Sequence, residues 1–298
     1  MSKPVVGVIG LGIMGSAMSA NLLKDGWTVI GYDVLEHCVE AHVKGGGVAA
    51  ASPREVAEKA EIVITSLPSV EAFEKVIGND DDGILGAGGT PIIIETSTLD
   101  LDVKRRGHDT LKQAGIEMLD CPLSGTGAQA RTKDLAVYAS GDKSCYERCL
   151  PVLEGFARSS HHLGEFGNGS KMKFVANLLV AIHNASAAES FVLGMKAGLD
   201  PRDIYDVIRD GAGSSRMFEI RGPMMVDDDY DDATMKVSVW QKDMRIIGDF
   251  ARAIGCPTPL FSSSAPLYTA AMSQGHEARD TASVCAVLEV MAGLPKRK

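Results

Sequence analysis

Basic charge is in deficit along this chain, with 30 Lys plus Arg against 39 Asp plus Glu and a formal net charge of −9. Such a field repels phosphate backbones and anionic lipid, so nucleic acid and membranes are not expected as partners. The six cysteines, at 38, 121, 145, 149, 256 and 285, include no C-x-x-C pair. Nothing before Val5 has the form of a secretory leader, and reduced thiols in a cytoplasmic location are expected. No apolar run approaches the ~20 residues of a bilayer span, and no fixed-period repeat is evident. Histidines lack partner motifs, so His108, His161, His162 and His183 are read as structural or solvent-facing. Cys145 and Cys149 are a helical turn apart and suit packing better than a metal. The cluster Asp227, Asp228, Asp229, Asp231 and Asp232 does not follow an EF-hand spacing and is read as a solvated turn. No metal site is expected.

What is present suits a soluble globular protein: 45% hydrophobic and 23% charged residues over 298 positions, enough for two domains. The first half alternates short β-branched runs with helical patterns, the mark of a parallel sheet with crossover helices. Strands are predicted at Val5 to Gly10, Thr28 to Asp33, Glu61 to Leu67, Pro91 to Thr96, Ile116 to Asp120, Leu135 to Ser140 and Ser160 to Leu163. Ser52-Pro53-Arg54-Glu55 combines an N-cap, a first-position proline and a capping-box glutamate, so a helix starts there and runs to about Lys59. The stretch after Asp142 is helical, and Pro151 is expected to kink or divide it. Strand signals stop near residue 165. A long helix from Ser170 to Lys196 follows, then a helix capped by Asp200-Pro201, then helices over Val237 to Ile254, Leu260 to Ser273 and Arg279 to Met291. Domains are therefore expected at 1–164 (α/β) and 165–298 (all α).

Gly10-Leu11-Gly12-Ile13-Met14-Gly15 follows an apolar strand and opens a helix, the context in which G-x-G-x-x-G binds a dinucleotide. Gly10 permits the tight turn, Gly12 clears space for a pyrophosphate, and Gly15 lets the helix approach the strand. Asp33 ends the second strand 18 residues after Gly15. A carboxylate there accepts from ribose hydroxyls and repels a 2′-phosphate, which favours NAD over NADP. The sheet is accordingly read as a doubly wound, Rossmann-type sheet, followed by an all-α C-terminal domain joined through the long helix.

Three segments resemble the β-hydroxyacid dehydrogenase family, which includes 3-hydroxyisobutyrate dehydrogenase and tartronate semialdehyde reductase. The loop extends to G-L-G-x-M-G-x-x-M-x-x-N-L-x-x-x-G, here with Met18, Asn21, Leu22 and Gly26. The substrate motif D-x-P-V-S-G-G-x-x-x-A-x-x-G-x-L is matched by Asp120, Pro122, Ser124, Gly125, Ala130 and Leu135. Leu123, Thr126 and Lys133 depart from it. Gly164-x-x-Gly167-x-Gly169-x-x-x-Lys173-x-x-x-Asn177 resembles the catalytic segment, with Ala176 where the family has a further Asn.

The resemblance implies hydride transfer between NAD(H) and a small β-hydroxy acid or its semialdehyde, with Lys173 as general acid/base. Asn177, four residues on and on the same helical face, would orient the lysine or bind the reacting oxygen. Desolvation and the positive end of the helix would both lower the Lys173 pKa, whereas Lys171 points elsewhere. Ser124 and the N–H groups around Gly125 would hold the substrate carboxylate. Thr126 would add a hydroxyl nearby and favour a more polar substrate. Leu67, Pro68 and Thr98 resemble family positions at strand carboxyl ends beside the cofactor, and Lys242 resembles a lysine that reaches it. A homodimer or homotetramer through the helical domain is also implied. The alternatives are an imine reductase-like enzyme, which typically lacks this lysine, or a catalytically silent dinucleotide-binding module. A full 6-phosphogluconate dehydrogenase would need a longer helical domain.

Overall fold

The computed structural model describes residues 3–78 and 82–297. In chain order the elements are β1 (Val5–Ile9), α1 (Ile13–Lys24), β2 (Thr28–Tyr32), α2 (Glu36–Lys44), β3 (Val48–Ala49), α3 (Pro53–Lys59), β4 (Ile62–Thr65) and α4 (Val70–Ile77). They continue with β5 (Ile92–Glu95), α5 (Leu101–Gln113), β6 (Met118–Asp120), β7 (Leu123–Ser124), α6 (Gly127–Arg131), β8 (Ala136–Ala139), α7 (Lys143–Phe156) and β9 (Ser159–His162). The remainder is helical: α8 (Asn168–Lys196), α9 (Pro201–Arg209), α10 (Arg216–Asp227), α11 (Val237–Ala253), α12 (Pro259–Ser273) and α13 (Val284–Met291). Two compact units result, 1–173 and 174–298, and the division falls inside α8.

Six parallel strands form one sheet in the order β3-β2-β1-β4-β5-β6. Strand alternation builds its two faces. Ile62 and Ile64 of β4, with Ile92 and Ile94 of β5, pack on one side with Met18, Leu22, Val152 and Phe156 of α1 and α7. Val63 and Ile93 point the other way, into a cluster with Val56, Phe73 and Leu111 of α3, α4 and α5. Both faces are thus covered, which explains why these strands read as continuous apolar runs. The chain leaves β1 for β2 on one side and returns to β4 on the other, so the strand order reverses beside β1. Ligands of open α/β sheets bind at the carboxyl ends of strands at that point. A second sheet pairs β7 antiparallel with β8, and β8 parallel with β9.

Local chemistry sets the ends of the elements. Ser52 accepts from the Glu55 backbone N–H, and Pro53 opens α3. The Glu55 carboxylate reaches back to Ala51 N rather than to Ser52. Pro151 does not divide α7, which runs continuously from Lys143 to Phe156. One missing N–H is outweighed there by the burial of Cys149, Val152 and Leu153. Helix α10 was not expected from the sequence; Ser215 caps it through the Phe218 N–H.

At 29 residues, α8 is long and apolar enough to cross a bilayer, which corrects the reading that no apolar run nears that length. Its contacts identify it instead as the core helix of the second unit. Phe174 meets Phe250, Phe191 stacks on Phe218, and Tyr268 donates to the Ala181 carbonyl. Buried Asn184 donates to the Thr281 carbonyl and to the Tyr268 hydroxyl. The acidic cluster does form a turn, with Asp228 in the left-handed region and ion pairs from Arg202 to Asp227 and from Arg279 to Asp231. Among the described residues no group of His, Cys, Asp and Glu could hold a metal ion.

Candidate active site

The glycine loop has the geometry that each position requires. Gly10 sits at φ +91°, and a Cβ there would lie 2.2 Å from the Ser66 carbonyl oxygen. At Gly15 a Cβ would meet the Gly10 carbonyl at 1.8 Å, so only glycine lets α1 sit this close. Gly12 is different: a Cβ there meets nothing within 4 Å. The first N–H groups of α1 have no side-chain cap and the space beside Gly12 is open, a combination that fits a dinucleotide pyrophosphate. Leu11 is buried, while Ile13 is exposed and Met14 packs at the edge of the core.

Asp33, just past β2, accepts from the Leu11 N–H at 2.6 Å and the Leu35 N–H at 2.9 Å. Two backbone donors therefore fix its carboxylate beside the loop. Leu67 and exposed Pro68 follow β4, and Thr98 follows β5. The Leu67 N–H donates to Ser97 Oγ at 2.8 Å, and the Ser97 N–H to Glu95 at 2.7 Å. These loops all leave the carboxyl ends of neighbouring parallel strands and so share the edge of the sheet that carries the glycine loop.

Beyond β6, residues 121–126 carry the proposed carboxylate grip. Gly125 adopts φ +138°, with Leu135 Cδ2 2.6 Å from where a Cβ would be. Thr126 does not add a free hydroxyl. Its side chain caps α6 in a complete capping box with Gln129, at an ordinary φ of −101° that does not call for glycine. Lys133 holds φ +59°, the left-handed conformation the family glycine would take, and its ammonium pairs with Asp25 at 2.8 Å.

Lys173 is 9% exposed, and Nζ donates to the Leu123 carbonyl at 2.6 Å. The amine therefore lies against the residue that precedes Ser124. Lys171 instead donates to Asn168 at 2.8 Å. Asn177, one helical turn along α8, is buried and donates to Asp243 Oδ2 at 2.9 Å. Lys242, next to Asp243 on α11, is half-buried.

Several organising residues escaped the sequence reading. Asp243 is one. Lys104 is another: it has no exposure and lies 2.8 Å from Asp120 and 3.8 Å from Glu95. Burial pulls its pKa down, but the two carboxylates outweigh burial and the net shift is upward. The signal available was spacing, since Leu101, Lys104, Gly107 and Leu111 share one helical stripe. Thiols do not compete as nucleophiles here. Burial pushes Cys121 well above the usual range and Cys149 up to about 12.

Residues 5–164 match a family model described as the NAD binding domain of 6-phosphogluconate dehydrogenase. Residues 167–288 match one described as NAD-binding of NADP-dependent 3-hydroxyisobutyrate dehydrogenase. L-threonate dehydrogenase of Cupriavidus necator is 31% identical over 290 residues, 97% of this chain and 96% of that one. 3-Hydroxyisobutyrate dehydrogenase of Pseudomonas aeruginosa is 30% identical, covering 94% and 96%. The solved 3-hydroxyisobutyrate dehydrogenase of Mycobacterium tuberculosis with L-serine superposes with a TM-score of 0.86 at 29% identity, covering 96% of this chain and 99% of that one. With its glycine loop, its sheet and its helical second unit all matched, this chain belongs to the β-hydroxyacid dehydrogenase family.

Proposed function

We propose that this protein interconverts a small β-hydroxy acid and its semialdehyde with NAD(H), and that Lys173 exchanges the hydroxyl proton. The observation that carries the second part is the buried amine of Lys173 held 2.6 Å from the Leu123 carbonyl, one residue before Ser124. Bound NAD supplies the hydride acceptor in oxidation, and NADH the donor in reduction. Ser124 and the N–H groups around Gly125 hold the substrate carboxylate, which fixes the hydroxyl relative to Lys173. In oxidation the O–H bond breaks towards the Lys173 amine, the C–H pair leaves as hydride, and a carbonyl and an ammonium result. Reduction runs the same steps backwards. Asn177, anchored by Asp243, orients the amine from the next turn of α8. Gly10 to Gly15 and Asp33 seat NAD, with Leu67, Pro68 and Thr98 contributing to its site.

Residues 1–164 carry the cofactor function and 165–298 the helical one. Exposed Val175, Leu179 and Leu193 on α8 support self-association into a homodimer or homotetramer. The six free thiols suit a reducing cytoplasm.

The decisive experiment pairs a panel of β-hydroxy acids and semialdehydes, followed by NADH absorbance, with Lys173→Ala. The variant is expected to lose about 10²- to 10⁴-fold in kcat while binding NADH normally. Undiminished turnover refutes the role.

A further inference from the structure

We propose that Asp120 is a positioning residue for this reaction: its carboxylate, anchored by Lys104, clamps the first turn of α8 to the segment 120–124 and thereby aims Lys173. The inference rests on the reading of Lys173 as the proton carrier.

Asp120 closes β6 with no exposure. Its Oδ1 accepts from Lys104 Nζ at 2.8 Å and from Ser170 Oγ at 2.8 Å. Its Oδ2 accepts from the Ser170 backbone N–H at 2.7 Å and from Ser140 Oγ at 3.3 Å. Ser140 Oγ in turn accepts from the N–H groups of Gly167 at 3.2 Å and Gly169 at 2.9 Å. Backbone donors at the start of a helix have no partner within it. Here Asp120 and Ser140 take them, and a carboxylate is the favourable charge at that end.

The fit leaves no slack. A Cβ at Gly169 would lie 2.2 Å from the Tyr138 carbonyl oxygen and 2.6 Å from that of Asp120. The helix start is therefore pressed against the backbone that Asp120 belongs to. Three residues after Ser170, Lys173 reaches the carbonyl of Leu123, itself three residues after Asp120. Two contacts thus join the same pair of segments, and Ser124 follows directly. A helix rises about 1.5 Å per residue, so a small slip of this first turn displaces the amine from the carboxylate grip by a comparable distance. Lys104 itself is sealed from substrate, and its part is to hold Asp120 in place.

The test uses the intact protein with Asp120→Asn, Ser170→Ala, Ser170→Thr and Lys173→Ala, measuring kcat, KM, NADH affinity and thermal midpoint for each. Asp120→Asn is expected to lower kcat about a hundredfold, the scale of a misplacement near 1 Å, while NADH affinity and KM stay within about threefold. Ser170→Ala lowers kcat about tenfold, and Ser170→Thr, which restores the hydroxyl, recovers most of it. Should Asp120→Asn fail to fold, the serine pair decides, and equal kcat for Ala and Thr overturns the proposal. Wild-type kcat in Asp120→Asn alongside an inactive Lys173→Ala also overturns it, and leaves the Lys173 reading standing. Full turnover by Lys173→Ala removes the basis of both.

Discussion

Asn21 of α1 donates from its side-chain amide to the Ala130 carbonyl of α6 at 2.7 Å, across 109 residues of sequence and out of solvent. The helix that opens at the nucleotide loop is thereby tied to the helix that follows Ser124 and Gly125. Asn21→Ala removes this bond while the Lys133 N–H still donates to the same carbonyl at 3.2 Å, so the cost is that of one hydrogen bond, about 0.5–1.5 kcal/mol. Thermal denaturation should show the loss, and KM should rise for both NAD and the hydroxy acid, because the two loops share this anchor.

Asp33 does two things at once. It is the carboxylate proposed to meet the ribose, and it receives the N–H groups of Leu11 and Leu35. Asp33→Ala should move the ratio of NAD to NADP efficiencies about tenfold or more towards NADP, equivalent to about 1.4 kcal/mol. NAD affinity should fall as well, since the loop loses its brace. An unchanged ratio in steady-state assays with both cofactors would count against the ribose assignment.

Lys133 occupies a left-handed conformation at φ +59°. That conformation costs a non-glycine residue about 1–2 kcal/mol. Its ion pair with Asp25 is surface-exposed and contributes at most about 1 kcal/mol. Lys133→Ala keeps the strain and loses the pair, whereas Lys133→Gly loses both. In urea melts the glycine variant should therefore be more stable than the alanine variant by about 1 kcal/mol, and close to the parent.

His42 is buried under Gly31 and Gly47, with Nδ1 3.0 Å from Ser19 Oγ. Burial lowers its pKa below 6.5. The folded state therefore holds a neutral ring where the unfolded state would protonate. Its contribution is complete above pH 6.5 and is lost as pH falls from there through the lower folded value. Burial and the Arg279 charge lower His276 in the same direction. Stability should drop on acidification from neutral pH, and His42→Gln should flatten the drop in thermal melts across pH 5 to 7, roughly the range in which histidine titrates. An identical pH dependence in that variant would remove His42 from the account.

The elements best read from sequence were those with local causes. Three glycines in different roles, an Asp just past β2 and a Ser-Pro cap all depend on neighbours a few residues away. What escaped depends on distant partners. Lys104 shares a helical stripe with Leu101, Gly107 and Leu111 that marks its buried face, but the carboxylates of Glu95 and Asp120 that partner the ammonium sit on adjacent strands and emerge only on folding. The family motif implies a pocket hydroxyl at Thr126, but Gln129, a local competitor present in T-G-A-Q, claims that hydroxyl for a cap. Short β7 and α6 gave too little periodicity to register. Asn177 was placed by its motif, yet its anchor Asp243, 66 residues away, could be found only in the folded chain.

The start of α8 bears on how such proteins can be cut and recombined. The strands end at His162, but the first unit extends to residue 173. A fragment stopped where the sheet stops would strand the Asp120 carboxylate without Ser170 and would leave Lys173 behind. The two halves are therefore not interchangeable cassettes, and any exchange of modules among relatives has to carry the opening turns of this helix with the nucleotide-binding part.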